Sequence, residues 1–388
     1  TKEYNKMTPD KYPAPYVQKL WGLYDIPGYA RNLFNLPVVA YSGENDKQIQ
    51  AAQIMERAFE AEGEKLLHLI GPGMGHSYHP DTLNEITNHM LAASISGRPD
   101  MPKSVSIQTQ TLRYHSAYWV TLTGLEKHWS DARADVQIVD DSITVKTKNV
   151  SSLRLSPKMT TVKVCEIDGT SINTEETESL AFIKRDGKWQ LGEPKGLTKS
   201  PELQGPIDDA FYSPFVVVLP SAAEMNPVIQ RWLDFEFNHF RDRWKSLYRG
   251  ELPVITDKQL TSEMIRTYNL VLWGTPKTNS VIRRLLNDQN LKHSLPLFWS
   301  INDVAMGDQK FSSKNHLPLM IYPNPLNADK YVVINSGPTH REGHDRTNSL
   351  QNPKLPDWSI INLDELPNDV TPGAVVSHGF FDERWQVK

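Results

Sequence analysis

Asp46 and His76 carry the strongest chemical signal in the chain. A histidine can take the proton of a serine hydroxyl and hand it to a leaving group. It does so when a carboxylate fixes its tautomer and stabilises the imidazolium that forms. The stretch around these two residues has the order such a pair requires. Residues 37–41 are an apolar run suited to a buried parallel strand, ended by Ser42-Gly43. Gly43-Glu44-Asn45-Asp46 turns the chain and sets an acid just past the strand's carboxyl end. Residues 48–62 have helical spacing, with Ile49, Ala52, Met55 and Phe59 on one stripe, and Gly63 ends the helix. Residues 66–70 form a second short strand. Gly71-Pro72-Gly73-Met74-Gly75 is a flexible loop, and His76 follows it directly. Acid and base therefore emerge from successive strands on one side of a sheet, where strand ends converge. The glycines let the histidine's loop approach another backbone closely.

Glu44 is a rival acid, ranked below Asp46 because the glycine-x-x-aspartate turn puts Asp46 where the acid is needed. His79 is a rival base, but the proline after it points to a structural role. An aspartate or a histidine alone would read as a turn residue or a surface residue; ordered together they favour a triad. The nucleophile is the gap. A Gly-x-Ser-x-Gly elbow occurs nowhere in the 388 residues, and Gly169-Thr170-Ser171 and Gly75-His76-Ser77 both lack the closing glycine. With serine before acid before histidine in chain order, the serine is expected upstream of Thr1, on a second chain or another part of the gene product. The opening residues TKEYNKMTPD hold no initiator methionine and no apolar signal region, which fits a fragment or a processed chain.

The stretch PVVAYSGENDKQIQAA, with Asp46, and the stretch IGPGMGH, with His76, give residues 2–93 a family resemblance. This segment resembles the C-terminal end of the catalytic domain of prolyl oligopeptidase-family serine hydrolases, in the α/β-hydrolase superfamily. The resemblance implies Asp46 as triad acid, His76 as general base and an elbow serine a few dozen residues upstream. It also implies backbone amides for the oxyanion outside this chain, a peptide or ester substrate, and no cofactor. The remainder resembles accessory β and α/β regions attached to some large bacterial hydrolases, and that likeness assigns no functional residue.

Composition sets broad limits. The chain is 23% charged with a net charge of -4, an ordinary balance that gives no reason to expect nucleic acid or an anionic membrane as partner. Its aliphatic runs, such as 215–219, are strand-sized and too short to span a bilayer. The single cysteine, Cys165, excludes an internal disulfide framework and any multi-cysteine metal site, and reads as a small buried residue. Quaternary state is open. Compartment leans to periplasm or secretion over cytoplasm, by fold-level analogy with exported hydrolases carrying accessory sandwiches.

The expected fold class is α/β plus β in three parts. Residues 1–97 form the C-terminal portion of an α/β-hydrolase sheet, closed by a helix at 81–93. Residues 2–29, rich in proline and aromatics, read as a packed loop in preference to a substrate-lining wall. The breaker cluster at 97–102 marks a boundary. Residues 104–196 read as a β-sandwich, with strands at 105–109, 117–122, 132–138, 142–147, 153–155 and 161–167 and turns at Gly124, Asp140-Asp141, Lys148-Asn149 and Asp168-Gly169. Residues 180–185 and 188–191 flank Asp186-Gly187, a strong hairpin signal. Trp119, Trp129 and Trp189 belong to this core, and His115 and His128 are ordinary.

Residues 210–345 alternate strand and helix and imply a Rossmann-like α/β domain with a mostly parallel sheet. Strands are expected at 215–219, 252–255, 270–273, 297–300, 317–322 and 331–335, with helices at 226–248, 262–268 and 279–287. Residues 346–388 read as a tail, rich in proline and aspartate, packed across a neighbour. Gly274 to Ser280 follows a strand and opens a helix, but Pro276 removes a backbone donor, so a plain turn is preferred to a phosphate-cradling loop. The polar cluster from Ser336 to Arg346 reads as a solvated loop without metal-ligand spacing. Two other readings stay open: an esterase acting on carbohydrate or other carboxylic esters, and a non-catalytic binding or scaffold subunit.

Overall fold

The structure is a computed structural model that describes residues 2, 5–158, 162–175, 179–291 and 293–388. It is a mixed α/β protein with several sheets. It divides into two compact units: Thr1–Tyr12 with Trp21–Lys195, and Pro13–Leu20 with Gly196–Lys388. The second unit includes helix α1 (Pro15–Leu20). No helix of the described residues is long and apolar enough to cross a membrane.

The first unit opens on 3-10 turns over Ile26–Asn35 and then a strand–helix–strand–helix run: β1 (Val39–Gly43), α2 (Gln50–Glu60), β2 (Leu67–Gly71) and α3 (Pro80–Ser96). β1 and β2 pair in parallel, Val39 opposite Leu67 and Gly43 opposite Gly71. The stripe on α2 turns inward, and Phe59 joins Ala30 and Leu66 in a small core. α3 buries none of its residues. The apolar run before Gly43 predicts full burial, yet Val38, Val39, Ala40 and Tyr41 are only half-buried, because no second helix layer covers β1.

Ten strands follow among the described residues: β3 (Ser104–Thr109), β4 (Ser116–Ala117), β5 (Val120–Leu125), β6 (Ala132–Val139), β7 (Ser142–Lys148), β8 (Val150–Leu155), β9 (Val164–Ile167), β10 (Thr170–Asn173), β11 (Leu180–Arg185) and β12 (Lys188–Leu191). They form two five-stranded sheets, β10-β9-β7-β6-β3 and β12-β11-β8-β5-β4, which share one apolar core. Asp186 and Gly187 both take positive φ, as the hairpin signal requires. Two expectations give way. The run at 117–122 is not one strand: Tyr118 sits at φ 51 and turns β4 back onto β5. Gly124 lies inside β5 at a bulge opposite Ser152, where a side chain would collide with the Ser152 hydroxyl. Thr161, at the head of an expected strand, lies outside the described residues. Trp119, Trp189 and Cys165 are buried as expected, whereas Trp129 is only half-buried and stands outside this core; burial pushes the Cys165 thiol up to about 12. His115 and His128 bond locally within this unit.

β3 would otherwise leave a raw edge. Side-chain amides of the preceding 3-10 segment cover it. Asn35 accepts from Ser106 N at 2.9 Å and donates to Ser106 O at 2.6 Å. Asn32 accepts from Gln108 N at 2.7 Å and donates to Gln108 O at 2.8 Å. Two asparagines one 3-10 turn apart thus stand in for a pairing strand. Arg31 and Arg133 both bond Glu62, just past the end of α2, and Arg31 reaches Asp135 on β6, tying α2 to the sheet. The aromatic segment before them packs, as expected: Trp21 is buried, and Tyr114 donates to Leu23 O.

The second unit continues with β13 (Phe215–Leu219), α4 (Pro227–Tyr248), β14 (Val254–Thr256), α5 (Ser262–Thr267), β15 (Asn269–Leu272) and α6 (Ser280–Asn287). Then come β16 (Leu297–Trp299), β17 (Asp303–Met306), β18 (Gln309–Ser312), β19 (His316–Asn324), β20 (Asn327–Ile334), β21 (Trp358–Asn362) and β22 (Ala374–Gly379). Seven strands make one sheet in the order β14-β13-β15-β20-β19-β21-β22, and β16-β17-β18 form a small separate sheet. The expectation of a mostly parallel sheet is corrected: β14, β13, β15 and β20 run parallel, whereas β19, β21 and β22 pair antiparallel. The tail expected at 346–388 is corrected too. It supplies β21 and β22, and Trp385 and Phe381 seal the core, because the apolar run from Trp358 pairs with β19.

Candidate functional site

β1 delivers the acid. Past Gly43 the chain folds back, with Asp46 N donating to Gly43 O at 3.0 Å. Asp46 Oδ1 accepts from Gln48 N at 2.8 Å and so caps the turn that leads into α2. β2 delivers the base: past Gly71 the loop brings His76 round, and His76 Nδ1 lies 2.9 Å from Asp46 Oδ2. With Asp46 ionised, Nδ1 is the donor, which leaves Nε2 as the free lone pair. The Gln48 amide first, and then His76, hold the Asp46 carboxyl below the usual carboxylate range. The side chain of Asp46 is 12% exposed and that of His76 is 80% exposed, so the base is open to solvent.

The His76 loop is held at several points. Asn45 N donates to Met74 O at 2.8 Å and Glu44 N to Gly71 O at 2.9 Å. Tyr41 reaches under the loop, its hydroxyl donating to Ser77 O at 2.9 Å and accepting from His79 N at 3.0 Å. Gly43 is where the two loops meet. A Cβ there would fall 2.1 Å from Gly75 O, so any side chain would push the histidine's loop off the acid's turn. The glycine and the tyrosine are therefore positioning residues for the pair.

The structure brings Asp46 and His76 together and parts both from their rivals. Glu44 accepts from Gly73 N at 2.7 Å, which pins the glycine loop and keeps this carboxylate off His76. His79 caps α3, its Nδ1 accepting from Asp81 N at 3.3 Å with Pro80 in the first turn. Among the described residues no hydroxyl or thiol is hydrogen-bonded to His76 Nε2. Also among the described residues, no group of three or more histidine, cysteine or acidic side chains could hold a metal ion.

One network carried no signal in the sequence. The side chain of His68 on β2 is buried and bridges Ser42 Oγ at 3.0 Å through Nε2 and Glu56 Oε1 at 3.1 Å through Nδ1. Serine, histidine and carboxylate fall in line, but the serine is buried under α2, so the arrangement locks the helix to the strands and attacks nothing. Its three residues lie on three elements without a motif, so only the register of β1 on β2 assembles them.

Beyond the pair, several large apolar side chains of this segment are exposed. Tyr78 and, on α3, Leu83, Met90, Leu91 and Ile95 are exposed, as are Leu67 and Ile70 on β2. Ile95 is 87% exposed. Each of β1 and β2 also has one open edge, since they pair only with each other among the described residues.

Compared with models of known protein families, with curated proteins and with solved structures, the chain matches none.

Proposed function

We propose that Asp46 and His76 are the acid and base of a Ser-His-Asp hydrolase site of prolyl oligopeptidase type, acting on peptides or carboxylic esters. The observation that carries this reading is the 2.9 Å contact between His76 Nδ1 and Asp46 Oδ2, made from turns at the carboxyl ends of adjacent parallel strands. The serine and the oxyanion amides are supplied by polypeptide outside these residues, the N-terminal portion of the same gene product. The exposed apolar side of α3 and the open edges of a two-stranded parallel sheet support that reading. A parallel sheet of this kind is normally covered on both faces, and two strands alone are marginal. The paired sheets of residues 104–196 are then a β-sandwich accessory domain, and the C-terminal unit an α/β domain with a mixed sheet.

In this mechanism the serine oxygen attacks the acyl carbon while His76 Nε2 takes the serine proton. Asp46 keeps the proton on Nδ1 and stabilises the imidazolium. His76 then protonates the leaving amine or alkoxide as its bond to the acyl carbon breaks. Water repeats the sequence: His76 accepts the water's proton, hydroxide adds to the acyl carbon, and the serine leaves with the proton returned. No cofactor enters. A polypeptide carrying this chain and its upstream coding sequence, assayed on a chromogenic acetyl ester and on a proline peptide amide, tests the reading and divides its substrates. Peptidase activity above esterase activity is the expected result. Finding no elbow serine upstream would leave a binding or scaffold subunit instead.

A further inference from the structure

The C-terminal unit holds a second candidate site, independent of the Asp46–His76 reading. β13 leaves the sheet through α4 toward β14, while β15 leaves through α6 and the small sheet toward β19, on the opposite side. The two connections part at the carboxyl ends of β13 and β15. In open α/β sheets that parting opens a crevice, and ligands bind there. A cavity of about 520 Å³ occupies this place.

Its walls combine two chemistries. Lys277 from the loop after β15, Arg283 on α6 and Lys314 after β18 supply three cations. Among the described residues none of the three has a carboxylate partner, unlike Lys199, Arg243 and Arg341 of the same unit. Glu224, the one acid of the lining, is engaged within its own wall. Its Oε2 accepts from Thr275 Oγ1 at 2.7 Å and its Oε1 from Asn226 N at 3.0 Å. Trp299 and Ile301 give the cavity an apolar side, and Ile301 stands exposed. The backbone amides that open α6 are already taken. Asn279 Oδ1 accepts from Val281 N and Ile282 N, and Ser280 N donates to Asp257 Oδ2. The turn from Gly274 to Ser280 is thus no phosphate cradle, as its sequence implies, and recognition falls to the side chains.

We propose that this crevice binds a small organic anion, its acidic group held among Lys277, Arg283 and Lys314 and its apolar body against Trp299 and Ile301. Unpaired cations on a concave wall raise the local concentration of anions, and a guanidinium pairs with carboxylate or phosphate in a two-pronged fit. The cavity lies within the common size range of small-molecule sites.

Calorimetric titration of the full 388-residue chain tests this with phenyl phosphate and benzoate as probes and phenol as the neutral control. Both anions are expected to bind at least about tenfold more tightly than phenol. The stronger of the two identifies the acidic group as phosphoryl or carboxylate. Lys277→Ala with Arg283→Ala, both exposed positions, should weaken the anions by about tenfold or more with the melting temperature unchanged, and Trp299→Leu should weaken phenyl phosphate more than inorganic phosphate. Anions binding no better than phenol, or unchanged affinity in the folded double variant, would overturn the proposal.

Discussion

Two parallel strand pairs in this protein follow the same grammar and meet different fates. β13 and β15 are buried along nearly their whole length, flanked by β14 and β20 and packed against α4 and α6. β1 and β2 are half-exposed, with a core of three fully buried residues and a following helix that buries nothing. Both begin from apolar runs of the same character, PVVAY and FVVVL. The hydrophobic pattern states what a strand needs, and burial shows how far this chain meets it. In the C-terminal unit the need is met within the sheet. At β1 and β2 it is met only in part, beside the solvent-open Asp46–His76 pair.

The first way to break this comparison strikes the filled unit. Arg341 holds Glu236 in a two-pronged ion pair at 2.8 and 2.9 Å, with side chains 4% and 9% exposed. Glu236→Ala strands the guanidinium, and the C-terminal unit should lose about 3–5 kcal/mol, read as a lowered denaturant midpoint. Glu236→Leu with Arg341→Met should recover most of it. The loop from Ser336 to Arg346, read from sequence as solvated, is in fact clasped here. Its Asp345 bonds Arg243 and its Glu342 bonds His239, so α4 grips it along one side.

A second, smaller effect appears in acid. His344 Nδ1 accepts from Arg341 N at 3.0 Å, so the ring must stay neutral, and burial holds its pKa down to about 4. A depressed folded value means stability that is present above pH 6.5 and lost as pH falls through 4. Asp208 works the other way. Burial raises it to about 6, so its contribution is present below pH 3.8 and lost as pH rises through 6. The wild type should therefore lose roughly 1–2 kcal/mol more than His344→Asn between pH 7 and 4.5. Parallel slopes for the two proteins, from melts across that range, would contradict the assignment.

The smallest effect tests the unfilled side. Ile95 touches almost nothing, so Ile95→Lys in the 388-residue chain should change stability by less than about 0.5 kcal/mol. The same change in a polypeptide that includes the upstream region should destabilise it markedly. No difference between the two backgrounds would mean that α3 has no partner.

What the sequence displayed, and what it hid, follows from the range of the interactions. Asp186-Gly187, the α2 stripe and the spans of α4 and α6 are local, and each stands where its spacing puts it, to within a residue for the two helices. The meeting of Asp46 with His76 was legible because two strand ends and a glycine loop leave little other place for them. The tail was not. Its prolines and aspartates hid two short strands whose only partners are β19 and each other, a pairing set by tertiary contact. Local pattern also hid the Asn32 and Asn35 clasp on β3 and the Ser42–His68–Glu56 network. In each, the residues meet across elements distant in sequence.

The most direct measurement is fluorophosphonate labelling of the polypeptide joined to its upstream region. The proton-transfer role predicts strong labelling in the wild type. It predicts loss by about a thousandfold or more in rate for His76→Ala and about ten thousandfold slower turnover for Asp46→Asn. Labelling at the wild-type rate in a folded His76→Ala variant would show that this histidine is not the base.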